Sequence, residues 1–285
     1  MHDMIFLTGS GKSYSGDRIF IPKGEAMPLI RLDKFISERT EYTRSQIKQL
    51  AARGQISLNG RTEKKTDVKI DPEKDSVSVS GREVSGDRFK YILLNKPQGY
   101  VSSTEENDGP SVLQLIPAEL RSKGMFPAGR LDKDTTGALL ITDDGELAHK
   151  MLSPKSHIPK IYIVKLDRPY ENKYVDIFKK GIKLADGDTC LPARVRGVEN
   201  SDKLALIELH EGKYHQVKRM FAAAGNHVQK LMRISLGGLI LPEKLGLGES
   251  MGLLHKDVEN LFKQPPEDPF LADFSDFFSA ILINN

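Results

Sequence analysis

The chain has 285 residues, enough for two domains, and its 39% hydrophobic and 28% charged residues are typical of a globular protein rather than a disordered one. No apolar run approaches the length of a membrane-spanning helix, and the single cysteine, Cys190, excludes an internal disulfide and a CxxC zinc site. We therefore expect a cytoplasmic protein, and since the net charge is only +3, its partners must be inferred from where the charges lie.

Composition divides the chain into four parts. Residues 1–27 are predicted to be an extension outside any core, residues 28–84 a small separate domain, residues 89–263 the main domain, and residues 264–285 a tail. The tail carries four acidic residues, no Lys or Arg, and several phenylalanines. Docking of this tail as a helix, on the protein or on a partner, and an unstructured appendage are both consistent with that composition.

The small domain has clear signals for a helix and a hairpin. Thr43 is a suitable N-cap for a helix over Arg44–Arg53, which Gly54 would end. The pair Asn59-Gly60 then predicts a two-residue hairpin turn. The domain is therefore expected to be a small α/β unit.

The charge of this small domain is unbalanced. Between Arg31 and Lys65 there are nine Lys or Arg and four Asp or Glu, a local net charge of +5. A solvated charged surface explains this excess, and so does contact with an RNA backbone. The candidate RNA-contacting residues are Arg31, Lys34, Arg44, Lys48 and Arg53.

Strand patterns outnumber helix patterns in the main domain. The strands are predicted at Tyr91–Leu94, Gly137–Ile141, Ile161–Leu166, Leu204–Leu209 and Val228–Leu236, and the helices at Gly145–Leu152, Glu171–Lys180 and Tyr214–Ala224. Because helices do not follow every strand, we predict an α+β fold with a mainly antiparallel sheet. No G-x-G-x-x-G follows a strand, which disfavours a dinucleotide-binding fold.

Three patterns that resemble ligand-binding sites each lack a feature that such a site requires. Gly9–Ser13 resembles the end of a phosphate-binding loop, but Phe6 stands where that loop needs glycine. The aspartates from Asp132 to Asp143 match part of a calcium loop, but a strand is predicted where that loop needs a helix. His210 and His215 lack metal-ligand spacing. We therefore expect no metal, no nucleotide and no other cofactor.

Two polar segments remain as candidates for chemistry. Gly129–Gly137 reads G-R-L-D-K-D-T-T-G and lies directly before a hydrophobic strand, where side chains are held rigidly yet reach solvent. From spacing alone, its carboxylates are turn formers or catalysts. Glu211–Phe221 carries His215, Lys218 and Arg219 on the helix side opposite its apolar stripe. That side is either a solvated surface or a contact surface for a polyanion.

Together with two further segments, these pieces resemble one family. Gly129–Gly137 resembles the G-R-L-D-x-x-T-x-G motif of pseudouridine synthases, and Lys160-Ile161-Tyr162 resembles their K-x-Y strand. Gly212–Met220 resembles their third motif, and Asn95–Val101 their N-K-P-x-G segment. The likeness covers residues 29–263 in family order, and the basic domain resembles the small RNA-binding domain that the family shares with a small-subunit ribosomal protein. The string H-Q-V-K-R-M-F from His215 resembles the RsuA-type branch, which modifies 16S rRNA.

The resemblance implies a fold, an activity and roles for residues. The fold is a small N-terminal α/β RNA-binding domain followed by a mainly antiparallel mixed-sheet catalytic domain. The enzyme would isomerise a uridine of 16S rRNA to pseudouridine, with Asp132 as the catalytic carboxylate, Lys218 as its basic partner and Tyr162 stacked on the flipped base. Arg130 would hold a phosphate or fill the vacated space. Further RNA contacts are implied for Lys160, His215 and Arg219.

Two other functions stay open at the level of sequence. One is a large-subunit (23S) rRNA pseudouridine synthase, although such enzymes usually carry Arg at the position of His215. The other is a non-catalytic RNA-binding factor in ribosome assembly, although such a protein would not need the R-L-D and K-x-Y elements together. The expected partner is 16S rRNA or a small-subunit assembly intermediate, with no membrane contact, and the expected protein is a monomer.

Overall fold

The computed structural model describes residues 29–263, except residues 41, 73, 85–88 and 200, together with Phe6–Leu7, Phe270, Phe274, Phe277 and Ile281. These residues form two compact units, of which one ends at Lys90 and the other begins at Tyr91 and includes Phe6–Leu7 (β1). Residues 85–88, where the linker was expected, lie outside the described part, so the predicted boundaries 28–84 and 89–263 stay predictions. Most of the predicted extension 1–27 also lies outside it.

The N-terminal unit combines two helices with short strands. Its elements are β2 (Ile30–Arg31), α1 (Leu32–Arg39), α2 (Arg44–Ala52), β3 (Ile56–Leu58), β4 (Arg61–Thr62), β5 (Lys69–Ile70), β6 (Val77–Val79) and β7 (Arg82–Val84). Strand β2 pairs with β5, and the other strands form a sheet in the order β4-β3-β6-β7. Phe35, Ile47 and Ile56 are fully buried between the helices and the sheet. The unit is therefore a small α/β structure with a core of its own.

The predicted helix and hairpin of this unit are confirmed. Thr43 caps α2 with its side chain, and the Gln46 side chain accepts a hydrogen bond from the Thr43 backbone N–H at 2.8 Å, which completes a capping box. Asn59 and Gly60 both have positive φ, 51° and 76°, as a type I′ turn requires. Arg44 and Lys48 lie one helical turn apart on α2, and both are exposed.

The larger unit is built on one sheet. Its elements are β8 (Tyr91–Lys96), β9 (Phe126–Ala128), β10 (Thr136–Thr142), α3 (Gly145–Leu152), β11 (Lys160–Leu166), α4 (Lys173–Lys179), β12 (Arg194–Val198), β13 (Ser201–Leu209), α5 (Gln216–Ala223), β14 (Val228–Leu236), β15 (Leu239–Ile240), β16 (Ser250–Leu253) and α6 (His255–Val258). The main strand order is β1-β16-β8-β10-β14-β11-β13-β12, and among the described pairs only β10 and β14 run parallel. The predicted α+β class with a mainly antiparallel sheet is confirmed. In the part of the chain that the structure describes, no helix is long and apolar enough to cross a membrane.

One face of this sheet packs against helices α4 and α5. Leu94, Leu139 and Val164 lie on that face, in one core with Phe178 of α4 and Phe221 of α5. The two phenylalanine rings meet edge to face with centroids 5.1 Å apart. This packing fixes α5 over the sheet, and the N-terminus of α5 carries the predicted basic segment.

The same face ends in a polar row across four neighbouring strands. Gly137 of β10 pairs with Lys96 of β8 on one side and with Arg233 of β14 on the other, and Arg233 pairs in turn with Tyr162 of β11. Gly137 has φ +102°, and a Cβ there would clash with the Arg233 carbonyl oxygen. Glycine is therefore required where the strand begins, next to the polar segment that precedes it.

The tail docks on the protein at its four described residues. Phe270, Phe274, Phe277 and Ile281 are each buried to about the same extent, at 4% exposure. The Phe270 carbonyl accepts a hydrogen bond from Arg196 Nε at 3.0 Å. Of the two possibilities left open by the sequence, these four residues follow the first, docking on the chain itself, while the rest of the tail lies outside the described residues.

Candidate active site

The centre of the site is the Asp132 turn, residues 129–135 between β9 and β10. The turn closes on itself where Thr135 N–H donates to the Asp132 carbonyl at 3.0 Å. The segment after β8 holds it from outside: Ser102 Oγ accepts from Leu131 N–H at 3.1 Å, and Gly99 N–H donates to the Lys133 carbonyl at 2.9 Å. The N-K-P-x-G segment therefore positions the turn that carries Asp132.

Lys96 is the central support of the Asp132 turn. Its side chain is fully buried, and its ammonium donates to the carbonyl oxygens of Thr135 at 2.9 Å, Asp132 at 3.1 Å and Lys133 at 3.3 Å, and also to Pro97 at 3.0 Å. Four acceptors around one cation satisfy a group that burial would otherwise penalise heavily. The turn is thus bound to the sheet by a single buried charge.

Burial shifts the protonation of this ammonium. Removal from water lowers the pKa of Lys96 to about 8, a shift that Asp134 and Asp132 oppose and that Arg233 and Lys218 reinforce. Lys96 is therefore charged at neutral pH but loses its proton under mildly alkaline conditions.

The segment before α5 is folded by one glutamine. Gln216 Nε2 donates to Glu211 Oε1 at 2.7 Å, and Gln216 Oε1 accepts from Lys213 N–H at 2.9 Å. His215 then starts the helix from the left-handed region, with φ 48°, and its carbonyl accepts from Arg219 N–H at 3.0 Å. A non-glycine residue in that region is uncommon. The local fold therefore fixes the direction in which the His215 side chain extends from the backbone.

Asp132 meets two basic side chains from this segment. Its Oδ2 lies 3.3 Å from Lys218 Nζ, and its Oδ1 lies 3.6 Å from His215 Nε2. The Asp132 side chain is 27% exposed, so its carboxylate is partly enclosed but still reachable from solvent. The contact between Lys218 and Asp132 joins positions 86 residues apart, as the third motif led us to expect. A carboxylate held between two basic side chains is oriented by them.

Lys218 has a second and closer partner that the sequence did not indicate. Its Nζ donates to Asp134 Oδ1 at 2.6 Å and Oδ2 at 2.8 Å. Burial acts to raise the pKa of Asp134, but the hydrogen bond and charge of Lys218 outweigh it and hold that pKa below its usual value. Asp134 therefore helps to hold Lys218 beside Asp132.

Tyr162 lies on the sheet at the polar row. It is 9% exposed and belongs to the core between the sheet and α5. Its row neighbour Arg233 is 3% exposed and donates from Nε to the Ala138 carbonyl at 2.7 Å. Arg233 was missed by sequence reasoning, because only the pairing of strands far apart in the chain brings it next to Gly137 and Tyr162.

The other RNA-contacting residues predicted in the larger unit differ in exposure and in their partners. Arg130 is exposed on the Asp132 turn. Arg219 pairs with Asp186, and Lys160 is partly buried with its Nζ donating to the Ile158 carbonyl at 3.0 Å. Burial and the charge of Arg233 lower the pKa of Lys160 to about 8. A binding role for Lys160 therefore needs a ligand that reaches a partly buried amine.

The remaining predicted contacts lie in the N-terminal unit. Arg44, Lys48 and Arg53 are exposed on or just after α2. Lys34 is exposed too and lies 3.9 Å from Glu38, while Arg31 bonds to Asp33 at 2.7 Å. The Asp33 contact raises the pKa of Arg31, which keeps its guanidinium charged. Among the described residues, no group of three or more His, Cys, Asp or Glu side chains has the arrangement of a metal site.

Comparison with known proteins finds pseudouridine synthases, the family that the sequence motifs resemble. Residues 90–223 match the model of the family described as RNA pseudouridylate synthase. A protein of Bacillus subtilis named "Uncharacterized RNA pseudouridine synthase YtzG" is 36% identical over 83% of this chain and 99% of its own length. The "Ribosomal small subunit pseudouridine synthase A" of Escherichia coli is 36% identical over 81% of this chain and 100% of its own. A solved structure titled "Crystal structure of pseudouridylate synthase" is 38% identical, covers 81% of this chain and 99% of its own, and has a TM-score of 0.56.

Proposed function

Since this chain belongs to the RNA pseudouridine synthase family, we propose that it converts one specific uridine of small-subunit (16S) rRNA to pseudouridine. The observation that carries the proposal is the rigidly held Asp132 with Lys218 and His215 against its two oxygens. The printed names of several relatives, among them the Escherichia coli protein, support the small subunit as the source of the RNA. The His215 string, typical of the RsuA-type branch, supports the same choice.

The reaction defines what the site must supply. The bond between the uracil nitrogen and the sugar breaks, the base turns, and carbon 5 of the base joins the same sugar carbon. Positive charge develops on the sugar as the first bond breaks, and a positioned carboxylate stabilises or traps it. We assign this role to Asp132. Attack on the sugar, attack on the base and removal of a sugar proton are the three forms that its participation can take.

The neighbours of Asp132 prepare it for that role. Lys218, 3.3 Å away, keeps one carboxylate oxygen directed, while Asp134 holds Lys218 from the other side. Lys96 fixes the backbone of the turn through its carbonyl oxygens. Because catalytic groups must be held within a fraction of an ångström, this support is part of the proposed machinery.

The target uridine must leave its stack to reach Asp132. Flipping a base costs a few kcal/mol, which contacts to the extruded nucleotide must offset. We propose that Tyr162 stacks on the flipped uracil and helps to remove the proton at carbon 5, and that the exposed Arg130 holds a phosphate or fills the vacated space. His215, Arg219 and Lys160 are the further RNA contacts proposed in this unit.

We propose the N-terminal unit as the anchor on rRNA. Its exposed cations, Arg44 and Lys48 on α2 above all, would neutralise phosphates without reading sequence. Replacing both with Gln should therefore weaken rRNA binding and reduce its slope against salt concentration by about two. Arg82→Gln, an exposed change on β7 outside the predicted contacts, is the matched control. Equal salt slopes for the double variant and for Arg82→Gln would exclude Arg44 and Lys48 as phosphate contacts.

Mapping of pseudouridine tests the proposed function. Both rRNAs are compared in cells with the gene, without it, and with the gene restored as wild type or as Asp132→Asn. We expect one uridine of 16S rRNA to stay unmodified without the gene and with Asp132→Asn only. Loss of a 23S site instead would favour a large-subunit enzyme, and loss of none would favour a non-catalytic assembly factor. Free 16S rRNA and isolated assembly intermediates, offered to the purified protein, then identify the form on which it acts.

A further inference from the structure

Tyr214 is an aromatic side chain that the reaction described above does not use. It is 75% exposed, the highest value among the large hydrophobic side chains in the described part of the chain. Its ring nevertheless has a defined neighbour, because it stacks on the imidazole of His215 with centroids 3.8 Å apart and planes 17° from parallel. One face of the tyrosine is therefore covered by His215, and the high exposure leaves the remaining ring surface to solvent.

The stack is held in place by the segment before α5. The Tyr214 carbonyl accepts from Arg219 Nη1 at 3.0 Å, and the preceding Lys213 N–H is bonded to the Gln216 side chain. His215 is fixed by its left-handed backbone at the helix start. An exposed ring on so constrained a backbone can receive a planar ligand without much further ordering, which limits the entropic cost of binding.

The stack also continues directly from the catalytic carboxylate. His215 Nε2 lies 3.6 Å from Asp132 Oδ1, so Asp132, His215 and Tyr214 follow one another outward from the site. Basic side chains flank this line: Lys213 near Asp188, and Arg219 paired with Asp186. A base of a nucleic acid suits such a surface, since the exposed ring offers a flat stacking face.

We propose that Tyr214 stacks on the base of a nucleotide next to the target uridine. When the uridine flips toward Asp132, its neighbour in the RNA loses a stacking partner. The outer face of Tyr214 would replace that partner, and the stack of base, Tyr214 and His215 would align the RNA strand with the carboxylate. The contact would tolerate any base, because every base has a flat face. This inference rests on the proposed function in that the ligand is an RNA containing the target uridine.

Two variants separate stacking from other roles of the tyrosine. Tyr214→Leu keeps an apolar side chain but removes the aromatic face, and base stacking of this kind accounts for roughly 5- to 150-fold in affinity. We expect a rise in KM of that size with a smaller change in kcat, while Tyr214→Phe stays within about twofold of wild type. Equal KM values for Leu and wild type would overturn the inference. Equal losses for Phe and Leu would overturn it too, since they would assign the effect to the hydroxyl.

An RNA variant identifies the stacked nucleotide. Substrates that lack the base on the 5′ or the 3′ side of the target uridine are bound to wild type and to Tyr214→Leu. One of them should bind wild type more weakly than the intact RNA and should show no such loss with Tyr214→Leu. Equal losses in both proteins, or no loss with either substrate, would contradict the stacking.

The failure of this inference is distinguishable from failure of the proposed function. Pseudouridine mapping identifies the RNA that wild type modifies before any variant is compared. If that RNA is not from the small subunit, the proposed function fails. Wild type, Tyr214→Leu and Tyr214→Phe are then compared on the RNA that wild type does modify. If wild type modifies a small-subunit uridine and Tyr214→Leu acts equally well, only the stacking inference fails.

Discussion

Replacing Lys96 with Met tests whether one buried ammonium positions the Asp132 turn. The substitution keeps a chain of similar length in the core but removes the donor to four carbonyl oxygens, three of them in the turn. Nothing that touches the side chain of Asp132 is changed. A loss of activity would therefore come from the position of the turn and from the missing Lys96 charge near Asp132, rather than from a lost side-chain contact of Asp132.

The expected magnitudes differ for stability and for activity. The carbonyl oxygens of Thr135 and Pro97 would lose the Lys96 donor, at a cost of at least about 1 kcal/mol each or about 2 kcal/mol together, whereas those of Asp132 and Lys133 keep a backbone N–H donor. The drop in the pKa of Lys96 from 10.5 to about 8 means that its buried charge itself costs about 3 kcal/mol, which Met would recover. Overall stability should therefore change by less than about 2 kcal/mol. A displacement of the turn by about 1 Å is sufficient to lower the rate about a hundredfold.

Lys160→Met is the matched control for this experiment. Lys160 is a partly buried lysine whose pKa is also lowered to about 8, but its ammonium donates to Ile158 outside the turn. Urea unfolding and single-turnover rates at saturating enzyme are measured for both variants. Lys160 is itself a proposed RNA contact, but weaker binding does not limit the rate when the enzyme is saturating, so we expect a large rate loss for Lys96→Met alone. A folded Lys96→Met protein that reacts as fast as Lys160→Met would refute the role assigned to Lys96.

Further predictions concern the charges around the site. Lys218→Met should slow the single-turnover rate at saturating enzyme, whereas Arg219→Met should mainly weaken RNA binding, and identical behaviour would refute the separate role of Lys218. Asp134→Asn should cost less than about fivefold, because its ion pair is exposed and contributes at most about 1 kcal/mol, and a loss as large as that of Asp132→Asn would contradict this. Raising the pH through about 8 should lower the rate, because neutral Lys96 has two N–H groups for four carbonyl oxygens. The free energy of unfolding should not fall over the same pH range, since the unfolded lysine keeps its proton to about 10.5 and native deprotonation relieves a buried charge. A rate that stays level to pH 9 would exclude the proposed role of the Lys96 ammonium.

The sequence predicted the elements of the larger unit well because most of them are strongly periodic. The helix Gly145–Leu152 and the strand Val228–Leu236 have the predicted bounds. The strand predicted at Tyr91–Leu94 continues through Asn95 and Lys96, whose polar side chains concealed its end. They are buried here because each finds acceptors, which tertiary packing alone provides.

The helix predicted over Tyr214–Ala224 shows where local pattern misleads. The structure begins it at Gln216, because His215 takes a left-handed backbone and the Gln216 side chain turns back to bond Lys213 and Glu211. The periodicity of the apolar residues continues across this start and gives no sign of it. Tyr214 consequently leaves the helix and is exposed beside the site.

The sequence predicted the central residues of the candidate site but missed some of their neighbours. The family motifs indicated Asp132, Tyr162 and Lys218, and the structure brings Lys218 to Asp132. The bidentate contact of Asp134 with Lys218 was missed, since a second aspartate in a turn reads as a turn former. Arg233 was missed because its position depends on which strands become neighbours.

The central claim, that Asp132 performs the isomerisation, is tested most directly by single-turnover pseudouridine formation with Asp132→Asn. The assay uses saturating enzyme and a 16S rRNA substrate that wild type is shown to modify, with RNA binding measured alongside. Loss of the carboxylate removes several kcal/mol of transition-state stabilisation, so the rate should fall by more than about a thousandfold while binding stays nearly intact. An Asp132→Asn rate within about a hundredfold of wild type would contradict the account and leave the catalytic group of this enzyme to be found elsewhere.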